Sequence, residues 1–196
     1  MTATSAATSG QKLTEQELEQ ARTFLQQTQN CIVGATKGLS DAQWKFKPSP
    51  EQWSVAENLH HAVAVLEAVG GGLLEQIHNA PPPPAGRDIE VIDALIINQF
   101  PNRLAKFPAP EIVRPAGDIQ PAESLARLSA MYQRLNECLE RPGLRDHAVP
   151  APPLKAVSKG AYEVMDGYQW IIAAAAHTER HTKQMLEVMA NPGYPG

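Results

Sequence analysis

The sequence predicts an all-α protein, a four-helix bundle with a short extra helix in the long connection between its second and third helices. Three observations predict it. Apolar residues recur at helical spacing in four long stretches, capping residues or Pro and Gly bound those stretches, and no segment alternates as a half-buried strand does. A chain of 196 residues holds one core comfortably and two poorly, so residues 12–191 are expected to form a single domain.

The first helix opens at Thr14-Glu15-Gln16-Glu17, a capping box of hydroxyl and carboxylate three residues apart. Its stripe is Leu18, Ala21, Leu25, Thr28, Ile32 and Ala35, and Gly38 lies where a helix would stop. Pro48 and Pro50 forbid a continuous helix through the next segment, where Trp44 and Phe46 are expected to cover one end of the core.

Ser54 and Glu57 cap the second helix, whose stripe is Val55, Leu59, Ala62, Val63, Leu66, Leu73 and Ile77. Gly70-Gly71-Gly72 inside it costs stability relative to alanine, and so marks a close approach or a bend. Pro81–Pro84 end the helix. The stretch from Asp88 to Lys106 accommodates a shorter helix, interrupted by Pro101, and prolines make the rest up to Gln120 a surface loop. This connection is long enough for a crossover, so helices two and three need not be antiparallel neighbours. Pro121 stands in the first turn of the third helix, with Leu125, Leu128, Tyr132, Leu135 and Leu139 as its stripe. The last helix is expected to begin between Ala161 and Tyr168 and to run to about Met189.

Composition excludes several functions. Hydrophobic residues are 43% and charged residues 19%, the balance of a water-soluble domain, and a net charge of -4 without Lys/Arg runs gives no hold on nucleic acid or an anionic membrane. No stretch of 18 apolar residues is present for a membrane span. Residues 1–11 lack a basic start and an apolar segment; they are expected to be a disordered tail, and the protein to be cytoplasmic. Cys31 and Cys138, in no CxxC pair, read as small core residues.

His177-Thr178-Glu179-Arg180-His181 carries the chemistry. Residues four apart on a helix lie roughly 40° apart around its axis, so the two imidazoles share a face, as a helix needs to offer two ligands to one metal ion. A helical wheel puts Tyr168, Ile171, Ala175, Thr182, Met185, Leu186 and Met189 on the core side. Arg180, Lys183 and Glu187 fall on the wet side, and Trp170, Ala174, His177, His181, Gln184 and Val188 on a strip between. On the second helix His60 falls with polar residues, whereas His61 falls beside Val65, Ala68 and Gly72 at the core edge. His61 is therefore the third candidate ligand. Three imidazoles would leave a coordination position open for water or substrate.

Gly38-Leu39-Ser40, Trp44 and Trp53-Ser54-Val55-Ala56-Glu57 through His61 resemble the WSxxExxxH opening of the DinB-like (YfiT-like) superfamily of metal-dependent bundle proteins. His177 to Gln184 is similar to that family's HxxRHxxQ ending, and Phe107-Pro108-Ala109-Pro110-Glu111 to the F-x-A-P-E segment in the middle of its sequences. The resemblance spans about Leu13 to Ala190. It implies up-down-down-up topology, a homodimer, and a nickel or zinc ion on His61, His177 and His181. It also implies a small-molecule substrate, with a thiol transferase or hydrolase reaction. Its alternatives are a non-catalytic metal-binding or stress-response bundle, or a structural dimer without metal.

Catalytic residues are not legible. Glu57 and Glu179 read first as helix-end or surface residues and otherwise as supports to the ligands, Gln184 as a bond to a ligand or a metal-held water or as a core-edge polar residue, Trp170 as a pocket wall or a core residue, and Tyr162 or Tyr168 as donors to substrate. His147, in a Pro-rich loop, reads as a surface residue.

Overall fold

The computed structural model describes residues 10–103, 109–117 and 119–196. Most of the expected tail, the Leu104–Lys106 end of the connecting helix and the Phe107-Pro108 start of the F-x-A-P-E motif lie outside these residues.

Four helices carry the fold: α1 (Glu15–Ala35), α3 (Val55–Glu67), α6 (Pro121–Cys138) and α8 (Gly167–Met189). Their starts are fixed locally. Thr14, Ser54 and Asp166 each bond the backbone N–H three residues on, while Glu17, Glu57 and Gln169 reach back to the cap's own N–H. Pro121 sits at the first turn of α6. Gly38 takes a φ of 75° just past α1, a backbone that side chains resist.

Cross-helix bonds give the directions. Tyr168 and Glu17 meet at the starts of α8 and α1, so these two run parallel. Asn58 meets His181, so α3 runs against α8. Arg127 reaches Glu67 and Arg134 reaches Glu75, so α6 runs with α3; Thr28 bonds Tyr132 and Arg22 pairs with Glu140, so α6 runs against α1. The bundle is up-down-down-up, and the parallel α3–α6 pair is what the long connection permits. Inside lie Leu25, Ile32, Leu59, Leu66, Leu135 and Ile171, all fully buried.

The remaining elements are short. A capping box of Ser40 and Gln43 supports α2 (Asp41–Lys45), which carries buried Trp44; the prolines at 48 and 50 only limit its length. Within the connection, Asp88 caps α5 (Ile89–Gln99), which lies along α8. A two-stranded antiparallel ribbon, β1 (Ala148–Pro150) and β2 (Val164–Asp166), brackets α7 (Pro152–Val157). Strands of three residues are too short to display alternation, and so the sequence pattern missed them.

The triglycine segment makes the close approach expected of it and changes the winding of the helix. After α3 the backbone makes a π-helical turn (Ala68–Leu73) before a last helical turn, α4 (Leu74–Gln76). A Cβ on Gly70 would stand 3.3 Å from Leu135 Cδ2, so α6 approaches closely here, and Arg134 Nε donates to the Gly70 carbonyl at 3.0 Å.

At the end of the bundle where α1 and α8 begin, Arg145 is the hub of a charge network. It donates to Glu17 and Asp93, each at 2.7 Å, and to Asp166 at 3.1 Å, and it lies 4.1 Å over the Tyr168 ring. Arg87 also binds Asp166 and Gln169, and Gln169 donates to Asp93 at 2.9 Å. Burial works against the Arg145 charge, but the surrounding carboxylates outweigh it and hold the guanidinium more firmly protonated than usual. No described helix is long and apolar enough to cross a membrane.

Candidate metal centre

His177 and His181 lie one turn apart on α8, and His61 faces them from the antiparallel α3. One ring nitrogen from each lies within 4.8 Å of the others. The ring centroids form a near-regular triangle, with sides of 4.5, 4.5 and 5.0 Å. The structure thus brings together the three imidazoles that the helical wheel selected. His60, one residue away, takes no part.

Two of the rings are fixed in tautomer. His61 Nδ1–H donates to the Val113 carbonyl at 2.7 Å. Asn58 gives both amide hydrogens to the Ser54 and Trp53 carbonyls, so its Oδ1 faces His181 and accepts from His181 Nδ1–H at 3.1 Å. Each ring then carries its lone pair on Nε2, the state in which an imidazole binds metal. His177 differs, because its Nδ1 is buried with no hydrogen-bond partner. A buried polar atom without a partner is costly unless something else fills the role.

All three rings are held neutral. Burial is the main cause, pushing His177 down to about 3 and His181 and His61 below their ordinary value; the neighbouring imidazoles and, for the first two, Arg180 add to it. Neutral nitrogens, two fixed lone pairs and one unpartnered ring fit a divalent transition metal by the chemistry of the donor set. Trp53 closes one side, its ring 4.8 Å from His61 and stacked 6.0 Å from His181.

The triangle opens into a cavity of about 1100 Å³. Trp170 lines it, as expected. The expectations for Arg180, Leu186 and Cys31 are corrected. Arg180 is buried, not wet, because the connection after α5 lies along this side of α8 and the Asn102 carbonyl accepts from its guanidinium. Leu186 is half exposed, and Cys31 is exposed although Cys138 is buried. Glu57 bonds Ser54 and Lys47, and Glu179 pairs with Lys183, so their contacts run to helix cap and surface. Gln184 accepts from Arg103 at 2.9 Å. Tyr168 belongs to the Arg145 network, donating to the Glu17 carbonyl, and Tyr162 is tied to Ser158 through its backbone. His147 braces the Ala80 carbonyl at 2.7 Å.

Sequence reasoning missed Asn58, Trp53 and Val113 as supports. Asn58 had a signal, a poor helix former three residues before His61 on the same face. Val113 had none, because it acts through its backbone.

An up-down-down-up bundle with three imidazoles converging between its second and last long helices defines a class of protein. The DinB superfamily model matches residues 24–185, and the chain belongs to that superfamily. An uncharacterized Bacillus subtilis protein, YuaE, is 27% identical over 155 residues, covering 78% of this chain and 86% of its own. Among solved structures, YfiT from Bacillus subtilis superposes with a TM-score of 0.59 at 13% identity, over 94% of this chain and 92% of its own. That protein is described as "a probable metal-dependent hydrolase with an unusual four-helix bundle topology". At this identity the likeness establishes the fold.

Proposed function

We propose that His61, His177 and His181 bind one divalent transition metal, nickel or zinc, and that the protein is a metal-dependent hydrolase or thiol transferase acting on a small molecule. The observation that supports this best is the placement of three neutral, converging imidazoles at the floor of a large cavity. A structural ion needs no such access; an open site beside a cavity is what a reacting water, thiol or substrate needs. When bound, the ion supplies Lewis acidity, lowering the pKa of a ligand held on it and polarising a carbonyl.

The protein's own residues supply orientation and exclusion of water. Asn58 and the Val113 carbonyl engage Nδ1 of two rings and so leave Nε2 free for the ion. Trp53 shields the same rings on one side. The YfiT description, which concerns that protein, agrees with the hydrolase branch.

The test is elemental analysis of untagged protein purified without a nickel column, because a tag or resin can itself load the site. About one nickel or zinc per molecule is expected from the unaltered protein, and a large loss in His61→Ala with the helical circular dichroism retained. Unaltered metal content in the variant, or failure of the unaltered protein to take up zinc on dialysis, would overturn the proposal.

A further inference from the structure

The cavity is polarised along α8, and the three imidazoles divide it. On the side toward the start of α8 its walls are Val69, Leu73, Pro153, Val157, Trp170 and Ala174. Toward the end of α8 they are mostly polar, Glu51, Gln52, Arg103, Arg180, Gln184 and Glu187, with Val188 among them. Because α3 runs against α8, Val69 and Leu73 come to lie on the Trp170 side, and α7 closes that side with its proline and valine.

The charged half engages itself. Arg103 donates to Glu187 through two nitrogens, at 3.2 and 2.8 Å, and to Gln184 at 2.9 Å. Those groups are matched to one another and to solvent. The apolar half has no such internal match, and no charged side chain lines it among the described residues.

Its shape also carries a cost in stability. Ala68–Leu73, which contributes Ala68, Val69 and Leu73 to the wall, is the π-helical turn built on three glycines. Glycine in a helix is unfavourable, and π-turns concentrate at functional sites. Small Ala173 and Ala174 on the facing helix leave the space open. From Trp170 to His177 is seven residues, so this arm extends about 10 Å from the imidazoles.

We infer that the apolar arm is the recognition pocket of the same site. Its ligand is a small amphiphile: a straight or flat apolar group lying in the arm, joined to a polar group that reaches the imidazoles. This rests on the metal-site reading for the polar end only. Apolar walls on one side of the reacting position discriminate by tail length, because each methylene buried there contributes to binding.

The experiment is a tail-length series with two independent arms. Straight-chain hydroxamates from acetohydroxamate to octanohydroxamate are titrated calorimetrically into the zinc-loaded protein. Affinity is expected to rise about three- to fourfold per methylene and then level off when the tail fills the arm. Val157→Phe is expected to bring octanohydroxamate down toward the affinity of acetohydroxamate.

Straight-chain alcohols from butanol to octanol are titrated into the chelated protein with tryptophan fluorescence as the readout, since Trp170 lines the arm. They are expected to show the same length dependence without metal. If hydroxamates bind with no length dependence and alcohols do not bind, the arm proposal is overturned while the metal reading survives. If zinc and hydroxamates both fail but the alcohol series rises, the metal reading is lost and the arm stands. A flat alcohol series with no zinc uptake overturns both. The series on the unaltered protein decides the matter even if Val157→Phe does not fold.

Discussion

The Arg145 and His181 clusters, both buried and polar, are built in opposite ways. Around Arg145 every group is matched: the guanidinium bonds three carboxylates, Gln169 bonds Asp93, Arg87 and Asp166, and Asp166 also caps α8. Around His181 the matching stops short, because two rings are anchored through Nδ1 and His177 Nδ1 has no partner. A saturated network leaves nothing for a ligand and serves to lock elements together. Here it ties α1, α5, the loop before β1 and the start of α8. A network left open beside a cavity is the one equipped to bind. Burial alone does not tell the two apart; hydrogen-bond accounting does.

The contrast between the clusters breaks most visibly at Arg145. Arg145→Ala strands Asp93 without its counter-charge and leaves Asp166 with Arg87 alone. The cost is expected to be about 3–5 kcal/mol, as for removing one partner of a buried ion pair. Urea unfolding of the chelated protein measures it. The added stability on saturating with zinc is expected to persist in the variant, since the imidazoles are at the other end. Loss of that increment in a variant that still folds would mean that the two clusters act as one.

Nearly as large is the effect of acid on the chelated protein, and it reads the histidine end. The folded pKa of His177 and His181 lies below the unfolded value of 6.5. As pH falls through 6.5 the unfolded state takes up protons that the folded state refuses, so stability present above 6.5 is lost on acidification. For His177 the loss continues down to about 3. Between pH 7 and pH 5 each ring that stays neutral removes about 2 kcal/mol.

The Arg145 end does not imitate this. Asp93 has a raised pKa because burial outweighs Arg145, so its contribution is present at low pH and lost as pH rises. Glu17 has a lowered pKa despite partial burial, and its contribution begins to fade only near its ordinary value of 4.5. Urea unfolding across this window that showed no fall in stability would mean that the imidazoles are hydrated and able to take up protons.

The same asymmetry decides what the sequence disclosed. Helix starts were legible because capping is local: Thr14, Ser54 and Pro121 each act within a few residues. The imidazole triangle was legible because helical spacing fixes which residues share a face, and two faces sufficed. Arg180 was misread because a wheel assigns the wet side from one helix alone, whereas the connection after α5 covers that side. The Arg145 network was invisible, since its members come from residues 17 to 169 and meet only through tertiary packing. The three-residue strands fell below any periodic signal.

Asn58 sharpens the contrast at its smallest scale, because it makes the histidine cluster look saturated at one point. Its two amide donors hold it to the α3 backbone and its oxygen holds His181. If that bond fixes the tautomer for metal, Asn58→Ala should weaken zinc binding about 10- to 100-fold, the usual effect of losing an outer partner of a ligating imidazole. Asn58→Asp, which keeps an acceptor at the same place, should restore part of it. A competition titration with a chromophoric chelator gives both affinities. A purely structural role for Asn58 predicts otherwise: lower stability in both variants and unchanged zinc affinity in whichever one folds.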